Sequence, residues 1–88
     1  MKLVFSKEAW EDYLHWQAAD PKTHKRINEM IKQTMRTPFQ GVGKPEPLKG
    51  DLSGWWSRRI TKEDRMVYRV SGKEEAKALE LAQLRFHY

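Results

Sequence analysis

Three residues in the second half of this chain have the side chains that metal-free RNA cleavage requires. Such cleavage needs a base for the 2′-hydroxyl, a cation beside the phosphoryl group and an acid for the leaving 5′-oxygen. Glu46 lies between Pro45 and Pro47, which restrict the backbone on both sides of its carboxylate. Arg65 begins a strand-like run, and His87, one residue from the end, supplies an imidazole, a common general acid or base in enzymes. Together these types predict acid–base chemistry on RNA.

Further cations and aromatic rings surround these three residues in the sequence. Trp55 and Trp56 are neighbours, and adjacent strand residues point to opposite faces, so one ring can pack in the core while the other stacks on a base. Arg69 would share a strand face with Arg65. The candidates for RNA contact are Lys49, Trp55, Arg58, Arg59 and Arg69.

Each candidate also has an ordinary structural interpretation. Glu46 could be a solvated loop glutamate, and His87 could be a frayed terminal residue. Arg65 and Arg69 could lie on an exposed strand face and pair with a residue such as Glu80 on the next strand. From the residues alone, a non-catalytic RNA- or ribosome-binding module therefore stays open beside an enzyme. A DNA-binding protein is the weaker alternative, because the second helix needs its apolar stripe for packing.

Composition narrows the class of protein. With 88 residues we expect one domain spanning 1–88, and 17 Lys and Arg against 12 Asp and Glu give a net charge of +5 that favours an anionic partner. The absence of cysteine excludes disulfides, thiol nucleophiles and cysteine zinc sites. No two of the three histidines have metal-ligand spacing, so we expect no metal and no cofactor. With no signal peptide or membrane span in the sequence, we expect a cytoplasmic protein.

The first half predicts a strand followed by two helices. Residues 3–5 suit a short strand, and Ser6 has the properties of a helix N-cap. Asp20 and Pro21 end the first helix and begin the second, which should stop before Pro38. The predicted core stripe of the second helix is Ile27, Met30, Ile31, Thr34 and Met35.

The second half predicts a long loop and three strands. Residues 37–54 hold three of the four prolines and four of the five glycines, and we interpret this loop as functional. Residues 55–60 and 65–70 alternate as a hairpin joined by residues 61–64. A final strand runs from about Ala78 to the end, where alternation continues to Tyr88, with a possible short helical piece before it. This order gives an α+β domain.

Six segments carry a resemblance to one family. They are residues 1–6 (MKLVFS), 37–41 (TPFQG), 44–49 (KPEPLK), 52–60 (LSGWWSRRI), 65–68 (RMVY) and the terminal pair His87 and Tyr88. In these segments the chain resembles the YoeB/Txe toxins. These are RelE-like proteins of bacterial toxin–antitoxin modules. The similarity extends over nearly the whole chain. Residues 73–77 (KEEAK) look like extra material, which puts the length of the last hairpin in question.

The resemblance implies a fold, an activity and partners. The fold would be RelE-like, with two N-terminal helices on a twisted antiparallel sheet, and the activity ribosome-dependent cleavage of mRNA without a metal. Glu46 would be the general base, Arg65 the stabiliser of the transition-state phosphate, His87 the general acid and Tyr88 a positioning residue. Lys49 and Arg59 match basic positions of the family that bind phosphates. The implied partners are an antitoxin, the ribosome with its mRNA, and a second copy in a homodimer.

Overall fold

Two helices pack on a five-stranded sheet in the computed structural model, which describes residues 1–87. The helices are α1 (Lys7–Ala19) and α2 (Pro21–Arg36). The strands are β1 (Lys2–Phe5), β2 (Glu46–Pro47), β3 (Trp56–Arg59), β4 (Arg65–Ser71) and β5 (Ala78–Gln83). Single 3₁₀ turns lie at Gly50–Leu52 and Glu74–Ala76, the second being the short helical piece predicted before the last strand. The predicted α+β fold class is confirmed.

The sheet has the order β1-β5-β4-β3-β2 and mixed strand directions. The pairs β2–β3, β3–β4 and β4–β5 are antiparallel, as the family resemblance implied for the sheet, although β2 lies in the segment predicted to be a loop. The N-terminal strand adds a parallel pair, with Leu3 opposite Leu79 and Phe5 opposite Leu81. The connection from β1 to β5 runs through both helices and strands β2 to β4, and parallel neighbours require a long connection of this kind.

Capping side chains explain where the two helices begin. The Ser6 hydroxyl accepts a hydrogen bond from the Ala9 amide at 3.0 Å, as predicted for an N-cap. The Asp20 carboxylate accepts bonds from the Thr23 amide (3.2 Å) and hydroxyl (2.8 Å), and Pro21 occupies the first turn of α2. These bonds from Thr23 lower the pKa of the Asp20 carboxyl. The second helix ends at Arg36, before Pro38 as predicted.

The core lies between α2 and the inner face of the sheet. Ile27, Met30, Ile31 and Thr34 are buried as predicted, and Met35 is partly buried. The sheet contributes the buried side chains of Met66, Tyr68, Leu79 and Leu81. The first helix is less covered, because Trp10 is 48% and Leu14 42% exposed on its outer side. The described chain therefore has an apolar surface on α1 that its own core does not use.

The end of the chain differs from the prediction. The last strand begins at Ala78 as expected but ends at Gln83, so residues 84–87 do not continue it. The pairing of β4 with β5 shifts between Val67 and Tyr68, which marks a bulge. Leu84 then enters the core, and Phe86 takes a left-handed φ of 66°. Alternation in the sequence was misleading here because the bulge turns the chain out of the sheet.

The segment at residues 72–77 leaves the last hairpin in register. Its 3₁₀ turn joins β4 to β5, and Ser71 lies directly opposite Ala78. Residues 73–77 therefore form part of the connection between β4 and β5 and do not prevent the pairing of Ser71 with Ala78.

No helix within residues 1–87 is both long enough and apolar enough to span a membrane.

Candidate active site

The outer face of the sheet, which points away from the helices, carries two of the predicted catalytic residues, Glu46 and Arg65. Met66 and Tyr68 point into the core, so the alternate residues Arg65, Val67 and Arg69 of β4 point outward. In the same register Glu46 lies opposite Ser57, and Ser57 opposite Val67. Glu46 is thus two strands from β4, a lateral separation of about 10 Å. We call this surface, formed by Glu46, Ser57, Arg59, Arg65 and Val67, the outer face.

The outer face has a buried floor and an exposed rim. Ser57 and Val67 are 1% and 2% exposed, whereas Glu46 and Arg59 are exposed. Arg59 lies directly opposite Arg65 in the register, and two like charges at such a pair are unfavourable. Among residues 1–87 neither of these arginines forms an ion pair with a carboxylate. Such an arrangement is suited to an anionic ligand.

Arg65 is held by the backbone of the loop that precedes it. The side chain is largely buried, and its Nη1 donates to the carbonyls of Thr61 (3.0 Å), Lys62 (3.2 Å) and Asp64 (3.1 Å). Neutral carbonyls orient the guanidinium, and among residues 1–87 no carboxylate forms an ion pair with it. Arg65 can therefore act as a fixed cation at the edge of the outer face.

His87 is brought to this edge by a network of bonds along the C-terminal segment. The Leu84 amide donates to Asp12 Oδ2 at 3.0 Å, and Trp16 Nε1 donates to the Leu84 carbonyl at 2.8 Å. The Arg65 amide donates to the Phe86 carbonyl at 3.0 Å. His87 is exposed and follows Phe86 directly, so its backbone lies beside the start of β4. Tyr88, the fourth predicted catalytic residue, lies outside the described residues.

The remaining predicted RNA-binding residues separate into different environments. Lys49 and Arg59 are exposed. Trp55 is half-buried, and the Arg69 guanidinium lies 4.5 Å from the centre of its ring. Arg69 also forms an ion pair with Glu80 at 3.1 Å. Trp55 and Arg69 therefore contact each other at the end of β4 away from His87.

Glu80 compensates the charge of Arg69 in this group. Hydrogen bonds from the Ser71 hydroxyl and from Arg69 lower the pKa of the Glu80 carboxyl. A phosphate that bound Arg69 would have to compete with this carboxylate. The pairing of Arg69 with Glu80 that the sequence suggested is thus present in the structure. Contact between Arg69 and RNA stays a prediction.

The structure corrects the role expected for Arg58. Its side chain is wholly buried on the inner face, where Nε donates to the Tyr68 hydroxyl at 3.1 Å. Its terminal nitrogens donate to the carbonyls of Thr37, Gln40 and Val42. A guanidinium enclosed in this way has no access to RNA. Adjacent residues of a strand point to opposite faces, which is why Arg59 is exposed and Arg58 is not.

Arg58 and its neighbours hold the long loop that leads to Glu46. The Tyr68 hydroxyl donates to the Pro38 carbonyl at 2.6 Å, and burial raises the pKa of this phenol while Arg58 opposes the shift. The Arg59 amide donates to the Gly43 carbonyl at 2.7 Å. At Gly43, with φ of 84°, a Cβ would lie 3.0 Å from the Arg59 carbonyl oxygen. The loop is therefore fixed against the sheet, and its functional role stays a prediction.

Asp64 is a residue at this site that the sequence reasoning missed. Its Oδ1 accepts the Phe86 amide at 2.7 Å, and its Oδ2 accepts the Thr61 hydroxyl at 2.7 Å. The local part of this arrangement has a sequence signal, because a threonine three residues before an aspartate is typical of a side-chain-stabilised turn. The contact with Phe86 spans 22 positions and has no such signal. Within residues 1–87 no group of three or more acidic or histidine side chains is placed to hold a metal ion.

Comparison with known proteins first defines the class. The chain superimposes on YafQ from Escherichia coli strain BL21(DE3) with a TM-score of 0.74 at 15% identity, covering 98% of this chain and 92% of that one, which shows a shared fold. Residues 5–88 match the family model described as the YoeB-like toxin of bacterial type II toxin–antitoxin systems. The chain belongs to the YoeB toxin family.

Two full-length similarities agree with that assignment. The toxin YoeB of Escherichia coli strain K12 is 57% identical over 88 residues, covering all of both chains. A solved structure of a YoeB/ParE toxin from Agrobacterium tumefaciens has a TM-score of 0.95 at 56% identity, again covering all of both chains. In Staphylococcus aureus a YoeB 40% identical to this chain has been solved as a dimer and in a heterotetrameric YoeB–YefM toxin–antitoxin complex. These structures cover 100% of this chain and 98% of theirs, with TM-scores of 0.87 and 0.86.

Proposed function

We propose that this protein is a toxin endoribonuclease that cleaves mRNA on the ribosome and thereby inhibits translation. The observation that carries the proposal is that Glu46 and Arg65 share the outer face and that the segment carrying His87 is bonded to the start of β4. Glu46 lies in register with Ser57 and Val67, Arg65 is one step along the same face, and His87 follows the bond between Phe86 and Arg65. Membership of a toxin family supports the same function.

The proposed reaction assigns one role to each of these three residues. The Glu46 carboxylate takes the proton of a ribose 2′-hydroxyl, and the 2′-oxygen attacks the adjacent phosphorus. Arg65 stabilises the added negative charge on the phosphoryl oxygens, with Lys49 and Arg59 binding neighbouring phosphates. His87 in its protonated form donates to the departing 5′-oxygen. The products are a 2′,3′-cyclic phosphate, which opens to a 3′-phosphate, and a 5′-hydroxyl, and Tyr88 helps to position the reacting groups.

The proposed partners follow from charge, exposed apolar surface and the relatives. A net charge of +5 suits ribosomal RNA, mRNA and an antitoxin segment rich in acidic residues. The YoeB–YefM complex of Staphylococcus aureus supports an antitoxin partner, and the YoeB dimer of that organism supports a homodimer. Exposed Leu3, Val4, Trp10 and Leu14 offer apolar surface for such contacts. The proposed site of action is the cytoplasm, where mRNA is translated.

The chemistry of the RNA ends tests this function. Purified protein is added to ribosomes programmed with a defined mRNA, and the new ends are mapped. We expect new 5′-hydroxyl ends in the decoding site, and no cleavage where the nucleotide 5′ to the break carries a 2′-deoxyribose. Binding to ribosomes without new ends would instead favour the non-catalytic module. Cleavage of the deoxy substrate would contradict the attack by a 2′-hydroxyl.

A further inference from the structure

The residue before His87 has a conformation that its own side chain does not explain. Phe86 adopts a φ of 66°, in the left-handed region that costs a non-glycine residue about 1–2 kcal/mol. Its ring is 61% exposed, so packing in the core does not hold it there. Another interaction must therefore keep Phe86 in this conformation.

Two consecutive residues of the β3–β4 hairpin hold the backbone of Phe86 from both sides. The Phe86 amide donates to Asp64 Oδ1 at 2.7 Å, and the Phe86 carbonyl accepts from the Arg65 amide at 3.0 Å. The carboxylate of Asp64 is itself oriented, because the Thr61 hydroxyl donates to Oδ2 at 2.7 Å. Since the φ of Phe86 sets the direction in which the chain continues, these bonds also direct His87.

The same loop holds Arg65. Its carbonyls at Thr61, Lys62 and Asp64 accept from the Arg65 guanidinium. The loop of residues 61–64 therefore makes two kinds of contact. Its carbonyl oxygens bind the Arg65 guanidinium, and the Asp64 carboxylate binds the backbone of the segment that carries His87. The core does not require the second contact, because Leu84 is the last buried residue of the described chain.

We propose that Asp64 is a positioning residue that aligns His87 with Arg65 by binding the Phe86 amide. This inference rests on the proposed function, in which His87 is the general acid. It adds a residue that does not touch the RNA and acts only through His87. A misplacement of about 1 Å at a reacting group can cost about 10²-fold in rate. Losing the bond should therefore slow the chemical step and leave ribosome binding unchanged.

The test compares Asp64→Ala with Asp64→Asn in single-turnover cleavage of ribosome-bound mRNA. We expect Asp64→Ala to lower the rate constant by about 10- to 100-fold, with ribosome affinity within about twofold of the parent. Asp64→Asn keeps an oxygen that accepts from the Phe86 amide and should stay within a few-fold of the parent. Glu75→Ala removes one exposed carboxylate beyond the far end of β4 and controls for the change in net charge.

A double variant separates positioning from general damage. If Asp64 acts only through His87, Asp64→Ala combined with His87→Gln should be no slower than His87→Gln alone. Amide hydrogen exchange gives a readout besides activity: the Phe86 amide should be protected in the parent and in Asp64→Asn, and exposed in Asp64→Ala. The proposal would be overturned if the double variant were slower than His87→Gln by the same factor that Asp64→Ala alone loses. It would also be overturned by an unchanged cleavage rate in Asp64→Ala, or by a Phe86 amide that stays protected in that variant. A parent protein that cleaves no mRNA would instead overturn the proposed function, and this inference with it.

Discussion

Arg58 and Arg59 are neighbours in the sequence and have opposite environments. Arg58 is wholly buried, where its guanidinium binds three loop carbonyls and the Tyr68 hydroxyl. Arg59 is exposed on the outer face opposite Arg65. At the scale of single residues, therefore, one arginine stabilises the loop that carries Glu46 and the other is available to a phosphate.

This difference predicts two distinct mutant phenotypes. Arg58→Ala should lower the free energy of unfolding by about 3 kcal/mol or more, because several buried acceptors lose a charged donor. Arg59→Ala should change it by about 0.5 kcal/mol or less and weaken RNA binding instead. Urea denaturation and ribosome-binding titrations measure the two effects. Equal stability of the two variants would contradict the structural role of Arg58.

At the scale of elements, the bulge in β5 connects the fold to the site. The extra residue at the bulge turns the chain toward Leu84 and the loop before β4. The Ser6 hydroxyl accepts from Ala9 as the cap of α1 and donates to the Ala82 carbonyl at 2.7 Å. A single side chain thus begins a helix and satisfies a carbonyl next to the bulge.

Replacing Ser6 tests this double contact. Ser6→Ala should destabilise the protein by about 1–2 kcal/mol, because the cap and the bond to the bulge are both lost. Ser6→Gly should also lose both side-chain bonds, although glycine is tolerated better at an N-cap. Chemical denaturation measures stability, and hydrogen exchange of residues 82–84 reports the bulge. Normal stability and protection in Ser6→Ala would show that neither bond matters.

Local elements could be predicted from the sequence, and long-range contacts could not. Caps and prolines fixed the helix boundaries, and alternation identified the β3–β4 hairpin, since these signals act over a few residues. The parallel pairing of β1 with β5 and the bulge that ends β5 depend on residues far apart in the chain. The same limit explains why Arg58 was misassigned and Asp64 missed. Glu46, Arg65 and His87 were predicted from their chemistry and from the family resemblance, neither of which needs a contact map, and their catalytic roles stay predictions.

At the scale of the whole molecule, folding changes the titration of two carboxyls. Hydrogen bonds from Thr23 and Ser71, with Arg69 beside Glu80, lower the pKa values of Asp20 and Glu80. A carboxyl whose pKa is lower in the folded state stabilises the protein above its unfolded pKa. That contribution is lost as the pH falls from the unfolded value, near 4, through the folded one.

We therefore expect stability to fall in acid, in part through Glu80. Glu80→Gln should cost about 1 kcal/mol or less at neutral pH, because the ion pair with Arg69 is partly exposed. The loss should shrink below about pH 4, where Glu80 is protonated in the unfolded chain. Urea midpoints measured from pH 3 to pH 7 for the parent and the variant test this. A pH-independent difference between the two would contradict the lowered pKa of Glu80.

The most direct test of the catalytic assignment is the single-turnover rate of mRNA cleavage on programmed ribosomes. The rate is measured for Glu46→Gln and His87→Gln, and Asp51→Asn serves as a control at an exposed acidic residue. Both variants keep the size and hydrogen-bonding shape of the side chain and lose its acid–base function. We predict that each lowers the rate constant by about 10²-fold or more, that ribosome affinity stays close to the parent value, and that Asp51→Asn cleaves normally. Parental cleavage rates in both Glu46→Gln and His87→Gln would contradict the account of this site as the acid–base centre.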